Sequence, residues 1–267
     1  MMDITKLFDV KVLDHGKVVL VTGGAKGIGR MISEGYVANG AKVYISSRDA
    51  ASCEKAASEL TDKGPGSAVA LPANLQSLDE CTKLASDLAA REPRLHILVN
   101  NSGATWGASI EEHPDSAWTK LLTLNLQRVF TLTQLLLPLL EKAATAADPA
   151  RIINIGSIDA LRVPVLTNFA YAASKAGLHH LSRTLAVELG KRHITSNTIA
   201  CGPFPSKMMA ATLDAAGEAI KEASPLGRIG QPEDVAGACL WLSSQAGAFV
   251  NGATVPLDGG ISLVSKM

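Results

Sequence analysis

The chain has 267 residues, 47% of them apolar and 19% charged, with a formal net charge of +0. That length suffices for one large domain with an extensive core, and the balanced charge gives no basic excess for a nucleic-acid or anionic-membrane partner. Four cysteines, at 53, 81, 201 and 239, form no C-x-x-C pair and no metal-like grouping with the six histidines, so reduced thiols, a cytoplasmic setting and no bound metal are expected.

In chain order, "MMDITKLFDVKVLDH" lacks the continuous apolar run of a signal peptide and reads as an extension over residues 1–15, ahead of a single domain over 16–267. Short, nearly continuous apolar runs follow: "VVLVTG" at 18, "KVYIS" at 42, "AVALPA" at 68, "LHILVN" at 95, "RIINIG" at 151, "ITSNTIA" at 194 and "ATVPLD" at 253. Such runs suit strands buried on both faces, as in a parallel sheet. Between them lie stretches with helical spacing, such as "LDECTKLASDLAARE". Their alternation predicts an α/β, doubly wound Rossmann sheet of about seven strands with helices on both faces. The longest apolar stretches fall short of the roughly 20 residues that span a bilayer, and a soluble protein is expected. The segment from about 202 to 230, opening "CGPFPSKMMAATLD", breaks the alternation and reads as an insertion over the site edge.

In such a sheet ligands gather beyond the carboxyl ends of the strands. There "TGGAKGIG" follows the first strand, with Gly23, Gly27 and Gly29 around Lys26. The spacing is G-x-x-x-G-x-G rather than G-x-G-x-x-G, but glycines still permit a tight turn into a helix whose first N–H groups attract phosphate. "SSRD", "NNSG", "GSID" and "ACGPFPS" end later strands on the same rim. Tyr171 and Lys175, in "YAASK", share one helical face at i, i+4. A lysine near a phenol favours the phenolate, so a lowered Tyr171 pKa is expected, with Ser157 donating a hydrogen bond to the same substrate oxygen.

Four motifs in order, "TGGAKGIG", "NNSG", Asn125 in "LTLNLQ", and "YAASK", make the chain resemble the short-chain dehydrogenases/reductases from Gly16 to Gly260. The resemblance implies a proton donor at Tyr171, a ribose-binding and pKa-lowering Lys175, a carbonyl-polarising Ser157 and a water-associated Asn125. It implies a nicotinamide cofactor held by Gly23, Lys26, Gly27, Ile28, Gly29, Ser47, Arg48, Asn74, Leu75, Asn101, Gly103, Tyr171, Lys175, Gly202 and Ser206. Three positions depart from the family pattern. Ser157 precedes Tyr171 by 14 residues rather than 13, which predicts a bulge in "IDALRVPVLTNFA"; Asn74 replaces an aspartate at the adenine edge; Cys201 replaces a proline and reads as a small buried hydrophobe.

After the second strand, Ser47 stands where NAD-binding folds offer a carboxylate and Arg48 follows it. A phosphate clamp by Lys26 and Arg48 is therefore expected, with NADP(H) as cofactor and Asp49 starting the next helix. Trp106, the stretch 161–166 including Leu161, and Phe204, Met208, Met209 and Leu213 are candidate walls of an apolar substrate cleft. The overall pattern looks most like 3-oxoacyl-(acyl carrier protein) reductases and related carbonyl reductases, which implies a small-molecule carbonyl substrate. A secondary-alcohol dehydrogenase using NAD, and a non-catalytic nucleotide-binding scaffold, are the rival readings. Apolar or small residues on several faces of the "YAASK" helix, including Ala172, Ala176, Leu181 and Leu185, together with the resemblance, imply a homotetramer.

Overall fold

The computed structural model describes residues 16–164 and 167–264; the 1–15 extension lies outside the described residues. All seven expected strands form: β1 (Val18–Thr22), β2 (Lys42–Ser46), β3 (Ser67–Ala70), β4 (Ile97–Asn100), β5 (Ala150–Ile155), β6 (Ile194–Cys201) and β7 (Thr254–Leu257). They make one parallel sheet in the order β3-β2-β1-β4-β5-β6-β7.

Because side chains alternate across a strand, β1 serves two cores. Val19 and Val21 point into a layer with α1 (Gly27–Ala38), α2 (Ala50–Thr61) and α8 (Pro232–Ser243). Val18 and Leu20 point into the opposite layer with α3 (Leu78–Ala89), α5 (Arg128–Ala143) and the far half of α6 (Phe169–Gly190). Each fully buried Val or Leu stabilises the fold by roughly 1.5–3 kcal/mol, and a strand with apolar residues on both faces contributes to both layers. Helix α4 (Asp115–Leu122) packs against α6, and α7 (Ala210–Ala223) occupies the expected insertion. Among the described residues no helix is long and apolar enough to cross a membrane.

The amino edge of the sheet is fixed by buried cations. Arg151, fully buried in β5, donates from Nε to the Leu242 carbonyl (3.0 Å) and from Nη2 to the Ser244 carbonyl (3.1 Å), and lies 3.3 Å from Asp148 Oδ1. Lys17 donates to Asp148 (2.9 Å) and to the Ser243 carbonyl (3.2 Å). These donors satisfy carbonyls that α8 leaves unpaired at its end and complement its dipole. Arg151→Met takes the buried arginine donor from the Leu242 and Ser244 carbonyls, the second keeping only the Gly247 N–H (3.2 Å), so we expect a loss on the order of 3 kcal/mol of unfolding free energy, read as a lower denaturant midpoint at unchanged slope.

Candidate active site

After Thr22 the chain passes to α1 on one face, and after Asn100 it passes towards α4 on the other. The divergence opens a crevice at the carboxyl rim. Thr22 joins its two lips: its Oγ1 accepts the main-chain N–H groups of Asn101 (2.9 Å) and Ser102 (3.0 Å), while Asn101 Nδ2 donates to the Thr22 carbonyl (2.8 Å). Gly23 and Gly27 have positive φ, and a Cβ on Gly29 would collide with the Gly23 carbonyl and Asn101 Nδ2. Ser206, at the start of the insertion, approaches the loop from above; a Cβ on Gly27 would lie 3.2 Å from its Cβ.

The first turn of α1 has no side-chain cap and no acidic residue, unlike α2, capped by Asp49, and α3, capped by Ser77. A helix start left without its own acceptor, approached through glycines, suits a phosphate. Beside it Ser47 is half-buried and Arg48 exposed, with no hydrogen-bond or ion-pair partner for Arg48 among the described residues. Asp49 does start α2, accepting from Ser52 N at 3.1 Å. It also takes Lys26, 3.2 Å away, so the expected Lys26–Arg48 clamp is drawn differently: one cation is free and the other is paired. Hydrogen bonds from Ser52, then Lys26, hold the Asp49 carboxyl at about 2, keeping it anionic and able to compete for Lys26.

Ser157, Tyr171, Lys175 and Asn125 converge. Lys175 is buried, its Nζ donating to the Ile155 carbonyl (2.7 Å) and standing 5.9 Å from the Tyr171 ring centre. A Cβ on Gly103 would lie 3.6 Å from that Nζ and 3.2 Å from Asn125 Oδ1, so the "NNSG" turn closes directly on the pair. Asn125 sits in a π-helical turn, Thr123–Gln127, a local feature that often marks functional sites. Its side chain is engaged by Ala104 N, Ala104 O and Ser174 Oγ at 2.9–3.0 Å.

The expected lowering of the Tyr171 pKa is corrected by the structure. Burial pushes the phenol up to about 12, against the opposing hydrogen bond from Ser157, and pushes the Lys175 ammonium down to about 8. Lysine lies over the ring and is engaged by Ile155, so its charge does not offset the cost of burying a phenolate. Cys201 is buried and its thiol is pushed up to about 12, as fits a small core hydrophobe rather than a reactive thiol.

Substrate-facing expectations divide. Trp106, Leu161 and Met208 are 41%, 49% and 44% exposed. Phe204 is corrected: it is 2% exposed in the core, its ring filling the space beside Gly230, so it is no substrate wall. Met209 and Leu213 are half-buried, while Val165 and Leu166, with the expected bulge around them, lie outside the described residues. The Leu75 side chain is also buried in the core, which leaves only its main chain for adenine; Asn74 Oδ1 accepts from Gln76 N at 3.2 Å. Gly202 leaves no room for a Cβ against Asp258, and Ile28 packs half-buried on the core. Sequence reasoning missed three contacts: Thr22 joining the lips, Asp159 accepting from Asn168 Nδ2 (2.9 Å) across the loop before α6, and Lys120 over the Trp106 ring (5.8 Å). A polar threonine ending an otherwise apolar strand was the available signal for the first.

Comparison with known proteins agrees with this geometry. A family described as enoyl-(acyl carrier protein) reductase, adh_short_C2, matches residues 23–262. The rhamnolipids biosynthesis 3-oxoacyl-[acyl-carrier-protein] reductase of Pseudomonas aeruginosa is 45% identical over 250 residues, covering 93% of this chain and 97% of that protein. The 3-oxoacyl-[acyl-carrier-protein] reductase FabG of Thermotoga maritima is 33% identical, covering 92% and 98%. The Pseudomonas aeruginosa RhlG/NADP active-site complex superimposes with a TM-score of 0.91 at 43% identity, covering 96% of this chain and 99% of the other.

Proposed function

We propose, from the premise that this chain belongs to the short-chain dehydrogenase/reductase family, that it is an NADPH-dependent reductase converting a ketone, of the 3-oxoacyl or another apolar class, to a secondary alcohol. The observation that carries this is the pairing of two hydroxyl donors beside a buried lysine. Ser157 Oγ accepts the Asp159 N–H (3.1 Å), so a lone pair is occupied and the hydroxyl proton is left to donate. Tyr171, with its phenol held protonated by burial, supplies the second donor. Two donors on one oxygen polarise a carbonyl and stabilise the alkoxide character that develops on it.

The glycine loop and uncapped α1 start fit a pyrophosphate, and the rim residues suit the rest of the dinucleotide: Gly23, Lys26, Gly27, Ile28 and Gly29 at the phosphates, Ser47 and Arg48 at the ribose phosphate, Asn74 and Leu75 at adenine, Asn101, Gly103, Gly202 and Ser206 towards nicotinamide. When bound, NADPH supplies hydride to the carbonyl carbon. Tyr171 gives its proton to the oxygen; Lys175 binds the ribose and, with an ammonium that burial brings to about 8, passes a proton back to the phenol. Asn125 holds water at its carbonyl on the far side of Lys175. A phenol protonated at neutral pH is an acid before it is a base, which favours reduction over the oxidative reading.

The relatives' names specify a ketone, whereas the matched family's description specifies an alkene. Paired donors at Ser157 and Tyr171 favour the ketone. The exposed apolar Phe130 on α5 and Val187 on α6, with Leu263 and Val264 near the carboxyl end, support a homotetramer that covers them. The protein is read as cytoplasmic.

Tyr171→Phe should abolish turnover while NADPH binding by fluorescence persists; retention of over a tenth of the wild-type rate overturns the assignment. In the wild type, because the phenol titrates well above neutral, reduction should hold through neutral pH, and alcohol oxidation, which needs the phenolate, should rise with pH into the alkaline range. Replacing Ser47 by Asp and Arg48 by Ala should shift kcat/KM towards NADH, each lost charge-assisted contact to the phosphate costing roughly 1.5–3 kcal/mol, about tenfold or more. Equal kcat/KM for the two cofactors in the wild type would remove the basis of the NADP(H) reading. Light scattering at micromolar concentration should return the mass of four chains; one near 27.8 kDa refutes the tetramer.

A further inference from the structure

One buried histidine beside the site is left without a role by the reaction above. His179 lies on α6 two turns beyond Tyr171, so Tyr171, Lys175 and His179 form one stripe at i, i+4 and i+8. It is 3% exposed, and its Nε2 accepts the main-chain N–H of Ser157 at 3.3 Å.

That N–H is the first at the end of β5 without a sheet partner. The β5–β6 ladder closes with Ile155 opposite Ile199, and Gly156 N still donates to the Ile199 carbonyl (2.8 Å). Ser157 then turns into the 3-10 segment Ile158–Ala160, and its amide is satisfied from α6 instead. Lys175 donates to the carbonyl of Ile155, the residue before Gly156; His179 accepts from the amide of Ser157, the residue after it. Successive turns of one helix thus hold the chain on either side of Gly156. The glycine is required by the approach, since a Cβ there would overlap His179 Nε2 and come within 2.7 Å of Thr198 Cγ2.

We propose that His179 is a positioning residue for Ser157: by accepting the serine's main-chain N–H it fixes the point from which the hydroxyl meets the substrate oxygen. The inference rests on the carbonyl-reduction reading. Accepting at Nε2 places the ring proton on Nδ1. Burial first, then the charges of Lys175 and Arg183, pushes His179 down to about 4, so the acceptor is available at neutral pH. A leucine would fill similar space and leave the amide unpaired. A glutamine, whose terminal atoms lie at the reach of Nε2, keeps an acceptor.

The test compares His179→Leu and His179→Gln, alone and with Ser157→Ala, in ketone kinetics, NADPH binding and hydrogen exchange at the Ser157 amide. His179→Leu should lower kcat by about tenfold or more with NADPH affinity within about twofold, and His179→Gln should return kcat to within about threefold of wild type. With Ser157→Ala already present, His179→Leu should cost under about twofold, because the group it positions is gone. A leucine variant within about twofold of wild type, leucine and glutamine variants equally impaired, or losses that multiply in the double variant would each overturn the proposal. Should the leucine variant fail to fold, His179→Asn, whose amide is too short to reach, takes its place with the same expectations. If the wild type reduces no ketone, the function reading fails separately, and exchange still tests the contact. The Ser157 amide should exchange about tenfold faster in His179→Leu than in wild type or His179→Gln, and equal protection in all three would refute it.

Discussion

Thr22 is the constraint on which the site depends. β1 and β4 are neighbours in the sheet, yet their chains leave for opposite faces, so that the glycine loop hangs from one lip of the resulting crevice and the "NNSG" turn from the other. Divergence strands main-chain donors at the strand ends, where burial without partners is costly. Thr22 answers this with one side chain, which accepts from Asn101 and Ser102 and donates to the Val99 carbonyl (3.3 Å). With Asn101 thus anchored, its amide lies against Gly23 and Gly29, and this contact excludes any side chain at those glycines. The phosphate loop on one lip and the "NNSG" turn on the other therefore have one geometry, not two.

From that turn the constraint passes to the reacting groups. Gly103 brings main chain against both Asn125 and Lys175, and the Asn125 amide is consumed in holding Ala104 and Ser174. Ser174 in turn donates to the Tyr171 carbonyl (2.7 Å), tying the first turn of α6 to the π-helical turn. Enclosing the pair has opposite electrostatic consequences for its two members, because burial penalises whichever form is charged. The phenol becomes a weaker acid and the ammonium a stronger one. A protonated tyrosine next to a readily deprotonated lysine suits the proton-donor role proposed for Tyr171.

Most of the scaffold was legible because strands buried on both faces are mostly apolar, and all seven runs read that way became strands, β6 with its buried Thr195, Ser196, Asn197 and Thr198 included. The proximity of Tyr171 and Lys175, proposed as catalytic, was legible because helical periodicity puts them on one face whatever surrounds them. What failed depended on surroundings. The sign of the Tyr171 shift turned on whether Lys175 points its charge at the hydroxyl or is engaged by the Ile155 carbonyl, and no spacing encodes that choice. Phe204 stands in the insertion as a plausible wall, but Gly230, distant in sequence, offers its ring a space in the core. Likewise Asp49 was legible as the start of α2, whereas its hold on Lys26 requires the fold of two loops from adjacent strands.

Order also differs between the two ends of the sheet. At the amino edge, Arg151 and Lys17 bind α8 to β1 and β5 through buried, charge-assisted hydrogen bonds. At the carboxyl edge, α7 contains no buried residue and is broken at Ala216, whose φ of −143° and ψ of 20° leave the helical region. A segment with so little buried apolar surface is held by a small fraction of the free energy that holds the core, and such segments open first. The same helix follows Ser206, which lies against Gly27 of the glycine loop, and Met208, which is exposed. Thr22, Ser157 and Lys175 are held by contacts that do not include α7.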